Sequence, residues 1–211
     1  MKKFKQLFAA VVTLGMLSFT GGAVAAETEA PDALVKRISQ EVLDIAKSDK
    51  AIQGGNQQRV LQVVEEKILP SVDFQKMTAL AAGRFWRNAT PEQQQQLTTQ
   101  FRSLLVYTYS GAISQVRDQK VQFLPMRSLP ADTDVEVRSQ VLQSRGEPIQ
   151  LNYRLEKTAA GWRIYDVNVL GAWLVETYKS TFAAEIGRGG IDGLIKALTD
   201  KNKSLAGKSG S

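Results

Sequence analysis

With neither histidine nor cysteine anywhere in the sequence, the chemistry open to this chain rests on carboxylates, phenols, lysines and arginines. Zinc sites of imidazole or thiolate, Ser-His-Asp triads and Cys-His dyads are excluded. Asp134, Glu136, Glu147, Glu156 and Asp166 fall in or beside predicted strands. A pair of them at the right separation would do glycosidase-type acid/base work, but most occupy the polar phase of their strand and read as solvated surface. Asp166 differs, because Tyr165 and Val167 flank it in a strand whose phase breaks. Such an acid is either a proton-transfer base or a carboxylate hydrogen-bonded at the sheet rim. Gly187-Arg188-Gly189-Gly190 follows a helix and lacks both Gly-Lys-Ser/Thr and the dinucleotide spacing, so it reads as a helix–helix turn without a nucleotide. Trp86, Phe101, Tyr107, Tyr109, Tyr153, Tyr165, Trp173 and Tyr178 all fall near the predicted helix–sheet interface. They are either ordinary core or the rim of an apolar pocket, since each phenol needs a polar partner or a water-facing mouth. No residue is assigned as catalytic or as a metal ligand, and no cofactor is implied.

The elements that position these groups are legible from period and caps. Pro31 and Asp32 suit the first turn of a helix whose Leu34, Ile38, Val42, Ile45 and Ala46 recur at helical spacing up to Gly54-Gly55. Asn56 can cap a second helix with Val60, Leu61, Val64, Ile68 and Leu69 inward, stopped by Pro70. A third, over 73–82, turns Phe74, Met77, Leu80 and Ala81 inward. Thr90-Pro91-Glu92-Gln93 has the form of a capping box with a first-turn proline. It opens a long helix to about Val116, with Leu97, Phe101, Leu104, Leu105, Thr108 and Ala112 buried.

After Lys120 the period becomes two. Val121 and Phe123 mark an edge strand ended by Pro125. Val135, Val137 and Val141 share a face in the next strand, and Ile149, Leu151, Tyr153 and Leu155 alternate in the one after. Gly146 and Gly161 sit in hairpin turns. In the final strand Trp162 and Ile164 lie on one parity and Tyr165, Val167 and Val169 on the other, which asks for a bulge near Tyr165 or burial on both faces. Two helices over 173–186 and 191–199 follow. The expected fold is α+β: a three- or four-stranded antiparallel meander with helices wrapped on its one apolar face. That arrangement resembles cystatin-like and nuclear-transport-factor-like folds, which often enclose a cavity.

The ends suggest an address. Lys2, Lys3 and Lys5 precede an apolar run over 7–19, Gly21 and Gly22 break it, and Ala23-Val24-Ala25 has the small-x-small form of a cleavage site. The run is shorter than the roughly 20 residues a bilayer span needs. Residues 1–25 therefore read as a cleaved secretory signal rather than an anchor helix, 26–200 as a single α+β domain, and 201–211 as a loose polar tail. Losing the three lysines lowers the net charge from +6 to +3. The remaining cations are spread along the chain, so no nucleic-acid stripe and no permanent membrane anchor are indicated.

Several stretches, in order, resemble the MlaC-type family of periplasmic phospholipid-binding proteins, also known as toluene-tolerance auxiliary proteins. They are Leu69-Pro70 with Asp73, then Trp86-Arg87-Asn88-Ala89-Thr90-Pro91-Glu92-Gln93, then Phe101 with Tyr109. Tyr153, Trp162-Arg163-Ile164-Tyr165-Asp166-Val167, Gly171 and Gly189-Gly190-Ile191-Asp192-Gly193-Leu194 complete the set. The resemblance implies a soluble periplasmic shuttle carrying diacyl phospholipid as cargo, with acyl chains between helices and sheet. Its implied partners are an outer-membrane lipoprotein–porin complex and an inner-membrane ABC transporter with an MCE-domain subunit. The resemblance places Tyr109, Ala172 and the strand 165–169 at the pocket wall. The lipid-binding set expected here is Trp86, Phe101, Leu105, Tyr109, Leu151, Tyr153, Tyr165, Val167, Val169, Ala172 and Trp173. Where the family usually shows Gly-Val-Ser, this chain has Gly171-Ala172-Trp173, and a bulky Trp173 is expected to reshape the pocket entrance. Two other readings stand beside the carrier: a small isomerase or dehydratase using Asp166 and a tyrosine, and a periplasmic adaptor that binds only protein.

Overall fold

The computed structural model describes residues 29–129 and 131–209, so the signal reading of 1–25 lies outside the described residues. Helix α1 (Pro31–Ser48) starts on Pro31 and Asp32 and buries Leu34, Val35, Ile38, Leu43 and Ala46. It ends before Gly54 because Asp49 takes an extended conformation and caps α2 (Lys50–Gln53), accepting from the amides of Ala51 and Ile52. Asn56 accepts from the Arg59 amide and opens α3 (Gln57–Val63). The helix does not run regularly to Pro70. It loosens into a π turn at Val64–Ile68 and tightens into a 3₁₀ turn at Leu69–Ser71, so Val63 and Val64 are buried while Leu61, Ile68 and Leu69 are half-buried.

Asp73 caps α4 (Phe74–Ala82) through the Lys76 amide. Met77 and Ala81 point inward as expected, but Leu80 is 40% exposed, and Thr78 takes the buried position beside Met77. The reciprocal bonds of the Thr90–Gln93 box are both made at the start of α5 (Pro91–Tyr109). Leu97, Phe101, Leu104 and Leu105 are buried. The helix breaks at Ser110 before a short α6 (Gly111–Ser114), which shifts the phase beyond it and leaves Ala112 exposed rather than buried, and Thr108, in the last turn of α5, is exposed as well.

The sheet is a meander of five antiparallel strands in the order β1-β2-β3-β4-β5: Lys120–Phe123, Asp134–Leu142, Ile149–Thr158, Gly161–Val169 and Ala172–Trp173. The fifth strand, too short to leave a period, arises because Trp173 pairs with Asn168 instead of opening the last helix. The phase break in β4 is a bulge. Arg154 pairs with Asp166 and Leu155 pairs with Ile164, leaving Tyr165 as the extra residue. Ile164 and Val167, three residues apart, therefore share the helix-covered face.

Helix α7 (Leu174–Ser209) is two helices joined through non-helical Gly189 and Gly190, the latter at φ 67°. The turn is the one expected, but its second arm runs to Ser209. The tail expected to be loose from 201 is thus helical through that residue, because Asn202 is buried and donates to the backbone and side chain of Gln100.

Three apolar clusters hold these parts together. Leu34, Val35 and Ile38 of α1 lie on Val135, Val137, Leu155 and Ile164 of the sheet. Helices α4, α5 and α7 form a second cluster around Phe101, Phe182, Leu97 and Leu194. Ala46, Ile52, Val60 and Val63 pin α1, α2 and α3 together. With no disulfide available, the aromatic centre of the second cluster carries much of the stability. Phe182 is fully buried, with its ring edge-on to Phe101 at 4.9 Å. Phe182→Ala should therefore cost about 3–5 kcal/mol, read as a lower urea midpoint at unchanged slope.

Candidate functional site

The apolar face of the sheet is covered unevenly. At one end Val135, Val137, Leu155 and Ile164 are buried beneath α1. Towards the other end of the same strands, Val141, Ile149, Leu151 and Val169 are only half-buried. Register sets them side by side, with Val141 opposite Ile149 and Leu151 opposite Val169. Val167 and Val169 pack on the edge of the α4–α5–α7 cluster, and Val167 touches both that cluster and the one under α1. The result is an apolar shelf of branched side chains beside a wall of helices.

Tyr153 stands on this shelf opposite Val167. Its phenol is hydrogen-bonded to Ser39 of α1 and Ser139 of β2, and burial pushes its pKa up to about 12. At the helical wall, Tyr178 packs edge-on against Phe101 at 5.0 Å. Its hydroxyl is hydrogen-bonded to that of Tyr109, which is 37% exposed at the end of α5. Burial raises both phenols above their ordinary value. Each tyrosine thus has an apolar body and a satisfied polar tip.

Of the expected lipid-binding set, the fold brings Leu151, Tyr153, Val167 and Val169 together on one face. Phe101 and Leu105 are buried inside the helical cluster, so they support the wall from behind. Trp86, on the 3₁₀ turn Gly83–Asn88, packs half-buried against that cluster. Ala172 is exposed in the two-residue β5. Two residues belong elsewhere. The bulge turns Tyr165 to the opposite face, where its hydroxyl donates to Asp134 at 2.9 Å and the Lys76 ammonium lies 4.0 Å from its ring centroid. Asp134 and Glu156 pair across the strands on that face, and Glu156 forms an ion pair with Lys76. Trp173 pairs with Asn168, also on the polar face, and stacks under the Arg154 guanidinium at 3.9 Å. It therefore does not stand at the shelf, and its bulk is absorbed by a cation–π contact. Val141 and Ile149 were not in the expected set, although they share the alternating phase of Leu151. Uneven coverage by α1, which no strand period reports, is what singles them out.

Asp166 is 1% exposed and lies on the polar face. Its Oδ1 accepts from the amides of Val167 (2.9 Å) and Val175 (3.1 Å), and its Oδ2 is 3.6 Å from the Arg154 guanidinium. Burial raises its pKa, opposed by those amides and by Arg154. Asp166 thus fastens β4 to the start of α7, where the helix dipole favours a negative charge. A separate groove of about 240 Å³, lined by Leu61, Glu65, Arg102, Ser103, Val106 and Tyr107, lies between the π turn and α5. That is below the roughly 300–1,000 Å³ of ordinary ligand pockets. Among the described residues, no group of three or more carboxylates is placed to hold a metal ion.

Residues 36–200 match the family described as MlaC protein. The chain belongs to the MlaC family. A solved structure, described as a phospholipid-binding protein from Ralstonia solanacearum in complex with a phospholipid, is 49% identical. It aligns with a TM-score of 0.79 over 83% of this chain and 98% of its own. The "Toluene tolerance protein ttg2D" of Pseudomonas putida is 25% identical over 170 residues, covering 80% of this chain and 78% of that protein. The "Intermembrane phospholipid transport system binding protein MlaC" of Haemophilus influenzae is 24% identical over 139 residues, covering 64% of this chain and 65% of that relative's length. The second share falls just short of two thirds.

The buried phenol on the shelf has a pH consequence. Tyr153 ionises at about 12 in the fold against the ordinary 10.0, so the folded state favours its protonated form. That contribution is complete below pH 10 and is lost as pH rises from there to about 12. Tyr153→Phe should flatten this part of the alkaline unfolding profile and remove a late-ionising phenol from the tyrosinate absorbance titration.

Proposed function

We propose that this chain is a soluble carrier that holds diacyl phospholipid between its sheet and its helices, catalysing no reaction of its own. The observation that carries the reading is the phospholipid complex of the 49%-identical Ralstonia protein, whose fold aligns over 98% of its length. The half-exposed shelf of Val141, Ile149, Leu151 and Val169 supports it from this chain's own side. Two acyl chains of about 15 methylenes each represent roughly 24 kcal/mol of apolar transfer at about 0.8 kcal/mol per methylene. Only a dry apolar seat competes with a bilayer for such a molecule. Satisfied phenol tips at Tyr153, Tyr109 and Tyr178 keep the seat free of unpaired polar groups.

In this reading residues 1–25 direct export to the periplasm, and no permanent membrane anchor remains. No helix among the described residues is long and apolar enough to cross a membrane. Cargo is exchanged with an outer-membrane lipoprotein–porin complex and with an inner-membrane ABC transporter bearing an MCE-domain subunit. In this reading the energy that sets direction comes from those partners.

Protein purified from a Gram-negative host without added ligand should release near-stoichiometric diacyl phospholipid on organic extraction, read by mass spectrometry. A folded protein yielding none would sink the carrier reading. Leu151 is half-buried and belongs to none of the core clusters, so Leu151→Glu should stay folded and copurify with little lipid. The same change at Val135, buried beneath α1, should unfold the protein instead, because a carboxylate there has no water to reach. Asp166→Asn keeps an Oδ1 acceptor for both amides, so lipid content and complementation should survive it. Lost complementation with folding and lipid intact would favour an isomerase or dehydratase.

A further inference from the structure

The turn between β4 and β5 breaks two rules at once. Leu170 and Gly171 are its central residues, closed by the pairing of Val169 with Ala172. Both have positive φ, 53° and 89°, as a type I′ hairpin turn requires. Glycine tolerates this, and Asn-Gly is the usual pair. Leu170 is the one non-glycine residue with positive φ among the described residues. A leucine there sets its Cβ against its own carbonyl, a real steric penalty for a bulky side chain. The fold does not recover that penalty by burial, because Leu170 is 70% exposed. The turn is nonetheless held firmly: the Leu170 amide donates to the Gln150 carbonyl at 3.0 Å, and the Gly171 amide donates to Asn168 Oδ1 at 2.9 Å. A strained, exposed apolar side chain on a rigid turn points to a role outside the fold.

Its position indicates which role. Register places the turn at the half-exposed end of the apolar face, next to Val169 and Leu151. Lys120, opposite Leu142, and the β2–β3 hairpin lie at the same end of the sheet, with strands about 4.8 Å apart. The exposed charges there are Arg117, Lys120, Arg145 and Lys47, the last bonded to the Gln119 carbonyl, against Asp118 and Glu147. Glu176 and Lys179 at the start of α7 pair with each other. That end of the sheet therefore has a positive excess, with Arg145 on the β2–β3 hairpin near the leucine and Arg117, Lys120 and Lys47 further along the same edge at β1.

We propose that the β4–β5 turn docks on an anionic bilayer surface, with Leu170 seated among the acyl chains at the mouth of the lipid shelf. The proposal rests on the carrier reading. A single inserted side chain beside a few cations gives only marginal, reversible membrane affinity, which suits a carrier that must leave again.

Leu170→Asn tests it, because asparagine accepts this backbone conformation and removes the apolar anchor. Binding is measured by co-sedimentation with vesicles of phosphatidylethanolamine and phosphatidylglycerol in equal parts, and with phosphatidylcholine vesicles as the neutral control. Leu170→Asn should lower the partition coefficient on anionic vesicles about tenfold while raising the melting temperature by about 2–4 °C, with copurified phospholipid unchanged. Arg145→Glu should weaken binding to the anionic vesicles alone. Undiminished binding by a stabilised Leu170→Asn would overturn the proposal and leave the turn as a protein-contact surface. A lower melting temperature would also overturn it, since the leucine would then serve the fold. Wild-type protein that binds vesicles through Leu170 yet carries no lipid would support the docking tip and count against the carrier reading alone.

Discussion

An antiparallel sheet with one apolar face must take that face out of water, and here separate groups of helices cover different parts of it. Helix α1 lies over the end built from Val135, Val137, Leu155 and Ile164. The α4–α5–α7 cluster reaches only the Val167–Val169 side of the other end. Protein interiors are otherwise close-packed, so four adjacent half-exposed branched side chains mark a surface awaiting apolar cover. The shelf, the buried phenols around it and the carrier reading all follow from this incomplete coverage.

The bulge at Tyr165 allows the sheet to serve two purposes. Without it, strict alternation would place Tyr165 beside Val167 and Val169, and a phenol would interrupt the apolar surface. The extra residue sends Tyr165 and Asp166 together to the polar side. There Tyr165 joins Lys76, Asp134 and Glu156, while Asp166 fastens β4 to the first turn of α7. The polar face thus holds the strands and α7 in place, and the hydrogen-bonding groups on the apolar face, Tyr153 and Ser139, find their partners within the fold. The same division moves Trp173 under Arg154 and away from the shelf.

A chain without cysteine, and so without disulfides, depends on its apolar clusters for stability, and a lipid seat removes apolar surface from that task. The separation of clusters reconciles the two demands. Phe101, Phe182 and Tyr178 form an edge-to-face aromatic centre within the helices. The branched side chains of the shelf contribute least to the core, which is why a carboxylate at Leu151 and one at Val135 are expected to behave differently.

Local signals were enough for much of the architecture. Proline and aspartate at the first turn of α1, the Thr90–Gln93 box, the change of period after Lys120, the phase break in β4 and the glycine break in α7 each have a cause within a few residues. Composition alone removed histidine and cysteine chemistry. The break at Ser110 carries a weaker local signal, so Ala112 takes a phase that the spacing does not report, and Leu80 and Thr108, inside regular helices, face solvent because of what packs against those helices. A two-residue strand such as β5 has no period to read. The site depended still more on tertiary structure. Leu151, Tyr153, Val167 and Val169 could be assigned to one face from alternation, but a parity says nothing about what lies over it. Only packing shows that Val141 and Ile149 stay outside the apolar cluster beneath α1, that Phe101 and Leu105 face inward, and that Tyr165 and Trp173 find cationic partners on the reverse face. Coverage is set by where distant helices come to rest, and no spacing within a strand encodes that.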